Sequence, residues 1–158
     1  MNFRITGLSP QPFRDLFSLD DAQLAALGAQ RVFADDASGY PCRVSLAHAA
    51  PGEELILMSY PHQAARSPYR ASGPIFARNS ATTAFDAVNT VPEPVRIRLL
   101  SVRAYDAADM IVEAEVAEGA EIESLIELLF ARQDVAYLHI HYARRGCYAC
   151  RVDRAGAS

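Results

Sequence analysis

The sequence contains no lysine and no tryptophan, and all 15 of its positively charged side chains are arginines. Lysine supplies the amine of Schiff-base enzymes, the anchor for pyridoxal phosphate and a phosphate contact in P-loop and kinase sites. Its absence therefore excludes all of these classes. Arginine stays protonated near neutral pH, so it cannot replace lysine as a nucleophile or a general base.

Long apolar runs are also missing, and none approaches the ~20 residues that a helix needs to span a bilayer. Residues 1–8 alternate polar and apolar side chains and lack the apolar block of a signal peptide. The cysteine count is three, and an odd number argues against a secreted disulfide framework. We therefore expect a cytoplasmic protein with reduced thiols and no membrane partner.

Several common catalytic motifs do not occur in the chain. GxSxG, HExxH and glycine-rich phosphate loops are absent. The net charge is -4 and the arginines are scattered, whereas nucleic-acid binding requires a clustered basic face. No nucleic-acid partner and no cofactor are expected, and the sequence leaves open whether the protein is an enzyme or a homo-oligomer.

The hydrophobic pattern predicts an α+β fold, with a mostly antiparallel sheet and two or three helices packed on it. The length of 158 residues predicts one domain over residues 1–158, with a core large enough to need no disulfide. The chain ends in a ββαββ pattern, and the loops are placed at 61–68, which carries His62, and at 78–92. The predicted strands are 2–8, 31–34, 40–45, 54–60, 69–76, 100–105, 110–116, 135–142 and 147–153, and the main helices are 18–28, 93–99 and 119–130.

The segment His139-Ile140-His141 is the most informative motif for a site. On a strand both imidazoles project to one face, while Leu138 and Ile140 project to the other face, into the core. Two histidines at this spacing can ligate one metal ion, and His62 is the candidate third ligand through space. Alternatively, both histidines are half exposed on a solvated sheet face. If the protein is catalytic, His139 and His141 are the candidate acid–base residues.

The cysteines offer a second candidate set of metal ligands. Cys147 and Cys150 form a CxxC, which with Cys42 and either His139 or His141 makes a Cys3His zinc set. Redox catalysis is disfavoured because no helix follows the motif to activate a thiolate. The alternative is that Cys42 and Cys150 pack in the core as small apolar side chains.

Strand alternation also predicts a polar face that suits an anion. Guanidinium groups bind carboxylate and phosphate oxygens bidentately, and imidazoles can donate to them as well. The alternative is that these arginines pair with acids on a solvated surface. The residues of the predicted face are Arg43, Arg70, Ser72, His139, His141 and Arg151.

Three functions follow from these patterns. The preferred hypothesis is a site for a small anionic molecule, a carboxylate or a phosphate, on the arginine and histidine face. The second is a zinc protein that uses either the histidines or the cysteines. The third is a non-catalytic interaction module that engages a protein through a sheet edge or through the 78–92 loop.

Five short segments carry a resemblance to a known family: Pro41–Arg43, Tyr69–Phe76, Ser101–Asp106, Tyr137–His141 and Gly146–Asp153. Together they resemble an uncharacterised bacterial family, the domain-of-unknown-function family 1203, from Phe3 to Arg154. The resemblance implies a single self-contained domain in a bacterial cytoplasm. The family has no known activity, substrate or cofactor, so the resemblance assigns no role to any residue.

Overall fold

The structure, a computed structural model, describes residues 1–156 and confirms the α+β fold. The strands are β1 Phe3–Thr6, β2 Gln30–Phe33, β3 Glu54–Gln63, β4 Ala71–Arg78, β5 Asp86–Val88, β6 Leu99–Tyr105, β7 Ile111–Glu118, β8 Tyr137–Tyr142 and β9 Tyr148–Arg154. The helices are α1 Gln11–Arg14, α2 Asp21–Ala26, α3 Glu93–Arg96 and α4 Ile122–Phe130. Short 3-10 turns precede α2 and α4, at Asp15–Ser18 and Gly119–Glu121.

The larger sheet has six antiparallel strands in the order β5-β1-β9-β8-β6-β7. Its centre is the hairpin of β8 and β9, and β6 and β7 form a second hairpin beside it. Helix α4 lies between these hairpins in the chain, which confirms the predicted ββαββ order.

The main core lies between α4 and one face of this sheet. Apolar side chains recur on α4 at helical spacing and are buried against alternate residues of β8. Leu138 and Ile140 are fully buried in this core, as the strand alternation predicts. His139 and His141 must then project from the opposite face.

A second, three-stranded sheet in the order β2-β3-β4 packs near that opposite face. The end of β3 reaches β8 and β9, where the side-chain amide of Gln63 donates to the Tyr137 hydroxyl at 2.9 Å. His139 and His141 are consequently only 3% and 1% exposed. The sequence hypothesis of a solvated histidine face is therefore wrong, because a second sheet covers it.

Three predicted segments differ from the structure. Residues 40–45 form isolated bridges from Pro41 to His48 and from Cys42 to Phe76 instead of a strand, because the chain turns back at Leu46. Strand β3 continues past Pro61, whose missing N–H falls at an irregularity in the β3–β4 pairing. His62 therefore lies on a strand.

The predicted loop 78–92 contains strand β5, which pairs with β1 at the edge of the larger sheet. The segment is poor in apolar residues because an edge strand buries little of its side-chain surface. No helix within residues 1–156 is long and apolar enough to span a membrane.

Candidate functional site

Three histidines come together between the two sheets, and we call them the histidine triad: His62, His139 and His141. His139 and His141 project from the same face of β8, and His62 comes from the end of β3. One ligand nitrogen from each ring lies within 4.8 Å of the other two. The tertiary fold therefore adds the third imidazole that local sequence spacing alone could not place.

Each ring of the triad has a buried nitrogen that finds no hydrogen-bond partner among residues 1–156. These atoms are Nδ1 of His62, Nδ1 of His139 and Nε2 of His141. The Nδ1 atom of His141 lies 2.9 Å from the carbonyl oxygen of Gly146. Because a carbonyl can only accept, His141 Nδ1 carries the proton and its Nε2 presents a free lone pair.

Aromatic rings enclose the triad and hold its members in place. Tyr148 stacks on His62, with ring centroids 5.2 Å apart and planes 6° apart. The same tyrosine contacts His139 and His141 edge-on, at 5.1 and 5.7 Å between centroids. Tyr105 also packs against His139, with ring centroids 5.0 Å apart. Such packing restricts the rotamers of the imidazoles.

The environment favours neutral imidazoles throughout the triad. Burial lowers the pKa of His139 to about 3 and the pKa of His141 to about 4. Burial also lowers the pKa of His62, and the charge of Arg103 adds to this effect. All three rings are therefore uncharged near neutral pH, which is the form that coordinates a metal ion.

Two arginines flank His139 across the sheet. In the register of the larger sheet, Arg103 on β6 and Arg151 on β9 both pair with His139. Arg151 binds the carboxylate of Asp153 at 2.7 Å, and its guanidinium lies 4.0 Å from the centroid of the Tyr137 ring. Arg103 makes no side-chain hydrogen bond or ion pair with residues 1–156. The alternation that places Arg151 beside His139 agrees with the sequence prediction.

A hydrogen-bonded chain secures the end of β8 beside the triad. The Tyr137 hydroxyl donates to Asp109 at 2.6 Å and accepts from Gln63. Burial and the bond to Asp109 raise the pKa of Tyr137 to about 12. Tyr137 is thus a protonated hydroxyl that links the two sheets through Gln63, the residue that follows His62 on β3.

The other residues of the predicted anion face do not join the histidines. Arg70 and Ser72 are exposed and make no side-chain bond to the triad within the described residues. Arg43 is 3% exposed, and its Nε donates to the carbonyl oxygen of Tyr148 at 2.6 Å. The prediction that Arg43 points outward is wrong, because residues 40–45 do not form a strand and strand alternation does not apply to them.

The cysteines lie apart from the triad and from one another. Cys150 is buried in the main core beneath α4, and Cys42 is buried in a separate apolar cluster. Cys147 is partly buried at the β8–β9 turn. In the part of the chain that the structure describes, the histidine triad is the one group of three such side chains close enough to share an ion. The Cys3His alternative is wrong, because strand alternation turns Cys150 away from the histidine face.

Sequence reasoning missed Tyr148, Arg103 and Gln63 at this site. Alternation along the predicted hairpin could have placed Arg103 on the histidine face, since Val102 and Ala104 are the apolar neighbours that face the core. The positions of Tyr148 and Gln63 depend on a bulge between Ile140 and His141 and on the packing of two sheets. No local pattern reports either of these features.

Comparison with known proteins gives one match. The model of a family described as protein of unknown function, DUF1203, matches residues 39–154, which is more than half of the chain. The match includes all three histidines of the triad. No curated protein and no solved structure matches the chain.

Proposed function

The chain belongs to the DUF1203 family, whose function is not known, and from the geometry of its site we propose that it binds a divalent transition-metal ion, preferably zinc, through the histidine triad. The proposal concerns a resident metal ion held by His62, His139 and His141.

One observation carries the proposal: three imidazoles converge, and each leaves a buried nitrogen without a partner. A buried polar atom without a hydrogen bond costs ~1–3 kcal/mol, and such atoms are rare in native proteins. Three of them within one cluster call for a shared partner. A metal ion satisfies all three lone pairs at once.

The chemistry of the donors selects the class of ion. Imidazole nitrogen suits zinc, copper, nickel and iron, whereas magnesium and calcium require oxygen ligands. No carboxylate of the described residues belongs to the cluster, so hard cations have no suitable donor there. Zinc is the preferred ion because three neutral imidazoles are a well-known ligand set for it.

The spacing fits an ion after small side-chain rotations. Zinc–nitrogen bonds of ~2.1 Å in a tetrahedral site place the ligand nitrogens about 3.4 Å apart. The triad nitrogens lie within 4.8 Å of one another. His62 is the one member that is not fully buried, so a small rotation of its ring that keeps the contact with Tyr148 closes the set.

The hydrogen bond from His141 to the Gly146 carbonyl supports the same proposal. Metal-binding histidines commonly donate their second ring N–H to a carbonyl or carboxylate, which fixes the ring and its tautomer. Here the bond leaves His141 Nε2 as the free ligand atom. The site thus already contains one such supporting contact.

Three protein ligands leave a fourth coordination position for water or an anion. Arg103 and Arg151 flank His139 and add positive charge on this face. A carboxylate or phosphate oxygen in the fourth position would be stabilised chiefly by Arg103, because Arg151 is already paired with Asp153. We therefore propose that the small anionic ligand expected from the sequence binds to the metal ion in this fourth position.

The decisive experiment is metal analysis of protein purified without a histidine tag. We expect about one zinc ion per chain after incubation with zinc and removal of excess metal, and a loss of this zinc in His139→Gln and in His62→Gln. His48→Gln is the matched control, because His48 is the one histidine outside the triad. Zinc content well below one ion per chain in the wild-type protein would overturn the proposal.

A further inference from the structure

A cleft separate from the histidine triad lies between the two sheets and has a volume of about 700 Å³. Four arginines line it: Arg43, Arg98, Arg144 and Arg145. We call it the arginine cleft. Its size lies within the range of small-molecule sites, which are ~300–1,000 Å³. No histidine of the triad lines it, so it is a separate feature of the fold.

The positive charge of the arginine cleft is not neutralised within the described part of the chain. Six other arginines form ion pairs with carboxylates. None of the four cleft arginines does so, although Glu118 also lines the cleft. Four cations and one acid leave an excess of positive charge facing this cavity.

Two of these guanidiniums are held in place by the fold. Arg43 and Arg98 each lie 5.0 Å from the centroid of the Tyr142 ring. Arg98 donates to the Pro94 carbonyl at 2.9 Å and lies 2.9 Å from Nε2 of His48. Arg43 donates to the carbonyl oxygens of Tyr148 and Pro41. These neutral partners orient both cations and leave their charge unbalanced.

The burial of Arg43 makes its missing counter-charge significant. The side chain is 3% exposed, and burial lowers its pKa. Removing a cation from water is costly unless an opposite charge accompanies it. Natural proteins rarely leave such a group unpaired, and Arg43 lines an open cavity. An anion in the cleft would supply the missing charge.

Apolar side chains also line the cleft. Leu57 and Phe76 are paired residues of β3 and β4, and both line the cavity. Ile97 lines it as well and is 55% exposed, which is unusual for a large apolar side chain. The cavity therefore offers both positive charge and apolar surface to a ligand.

We infer that the arginine cleft binds a small organic anion, whose carboxylate or phosphate head lies on the guanidiniums and whose apolar body lies on Leu57, Phe76 and Ile97. Guanidinium forks match the oxygens of both head groups. This inference is independent of the metal site, because it uses none of the triad residues.

Calorimetric titration with three probes tests the inference. Hexyl phosphate combines head and body, hexanoate presents a carboxylate head, and inorganic phosphate lacks the body. We expect saturable binding of hexyl phosphate or hexanoate, and at least about tenfold weaker binding of inorganic phosphate, because apolar burial contributes ~0.8 kcal/mol per methylene. The stronger of the two amphiphilic probes identifies the head group. Absence of saturable binding of both at millimolar concentration would overturn the inference.

Charge-neutral variants locate the binding. Arg144→Gln/Arg145→Gln alters two exposed side chains at the β8–β9 turn, so the fold should be retained. Arg98→Gln removes an oriented cation, and we expect affinity to fall at least about tenfold, since a hydrogen bond to a charged group is worth ~1.5–3 kcal/mol. Arg66→Gln is the control, because Arg66 is exposed and does not line the cleft. Equal weakening in Arg66→Gln would show nonspecific attraction and contradict the inference.

Cys147 gives an independent readout of the same cavity. It lines the cleft, whereas Cys42 and Cys150 are buried. Iodoacetate and iodoacetamide both alkylate the thiolate with loss of iodide, so the ratio of their rates cancels the thiolate population. We expect the arginines to favour the anionic reagent, so that the ratio falls severalfold in Arg144→Gln/Arg145→Gln and not in Arg66→Gln. An unchanged ratio in the double variant would count against an anion-attracting cleft.

Discussion

The imidazole of His62 stacks face to face on the phenol ring of Tyr148, with 5.2 Å between the ring centroids and 6° between the planes. His62 belongs to the smaller sheet and Tyr148 to the larger one. This contact therefore sets the position of the third member of the triad relative to the two histidines of β8. The histidine triad is a product of sheet packing as much as of the His139-Ile140-His141 motif.

Replacing Tyr148 should separate stacking from hydroxyl chemistry. We expect Tyr148→Phe to retain zinc affinity within about twofold, because the ring contact with His62 stays. Tyr148→Leu removes the stacked ring, and we expect about tenfold to hundredfold weaker zinc binding, as for other residues that orient metal ligands. Competition with a chromophoric chelator measures both values. Equal affinity in the two variants would show that Tyr148 does not position His62.

Removing the metal should lower thermal stability. A ligand at 100 times its dissociation constant stabilises the folded state by ~2.7 kcal/mol, which corresponds to about 5–10 °C in Tm for a domain of this size. We expect this shift between zinc-loaded and chelator-treated protein in calorimetry, and the same shift in His48→Gln. In His139→Gln zinc should leave Tm unchanged, and a full zinc-dependent shift in that variant would contradict the assigned ligand set.

The free energy of unfolding of the metal-free protein should decrease at acidic pH because of the buried imidazoles. The folded protein holds the pKa of His139 at about 3 and that of His141 at about 4, whereas an unfolded histidine titrates near ~6.5. Below that pH the unfolded chain binds more protons than the folded one. The contribution of these imidazoles to the free energy of unfolding is therefore fully present above pH ~6.5 and decreases as the pH falls toward 4. Urea unfolding of chelator-treated protein between pH 7.5 and 4.5 measures this loss.

A variant isolates the contribution of one imidazole. In His139→Gln the decrease in unfolding free energy between pH 7.5 and 4.5 should be smaller than in the wild-type protein by one or more kcal/mol, since each pKa unit corresponds to ~1.4 kcal/mol. Carboxylates titrate in both proteins and cancel in the comparison. Parallel pH profiles would show that His139 does not resist protonation in the folded state.

Local sequence patterns could predict the orientation of the β8 histidines and could not predict what covers them. A strand has a period of two, so the apolar partners Leu138 and Ile140 determine where His139 and His141 point. The burial of that face depends on the smaller sheet, whose contact is made by residues far away in sequence. The sequence predicts a loop at His62 because Pro61 interrupts the strand pattern, although an irregularity in the β3–β4 pairing accommodates the proline.

The arginines show where strand alternation fails to predict the direction of a side chain. Arg151 lies beside His139 because β9 is a regular strand next to β8. Arg43 lies elsewhere because the segment from Tyr40 to Ser45 forms only single bridges. An alternation argument is valid only where a strand exists, and a six-residue extended segment with a proline does not establish one. The arginine cleft, which joins residues from six parts of the chain, has no local sequence pattern.

The unpaired guanidinium of Arg103 should weaken metal binding at the triad. Arg103 on β6 is the register neighbour of His139 on β8, and its charge lowers the pKa of all three histidines. The same repulsion acts on a bound cation, so we expect Arg103→Gln to increase zinc affinity about fivefold, for a removed repulsion of ~1 kcal/mol. Arg66→Gln, at an exposed arginine, should leave the affinity unchanged.

Because Arg103 also favours an anion in the fourth coordination position, the Arg103→Gln protein should bind phosphate or carboxylate on zinc more weakly than the wild-type protein does. Chelator competition with and without 10 mM phosphate measures both effects, and weaker zinc binding in the variant would contradict this electrostatic role.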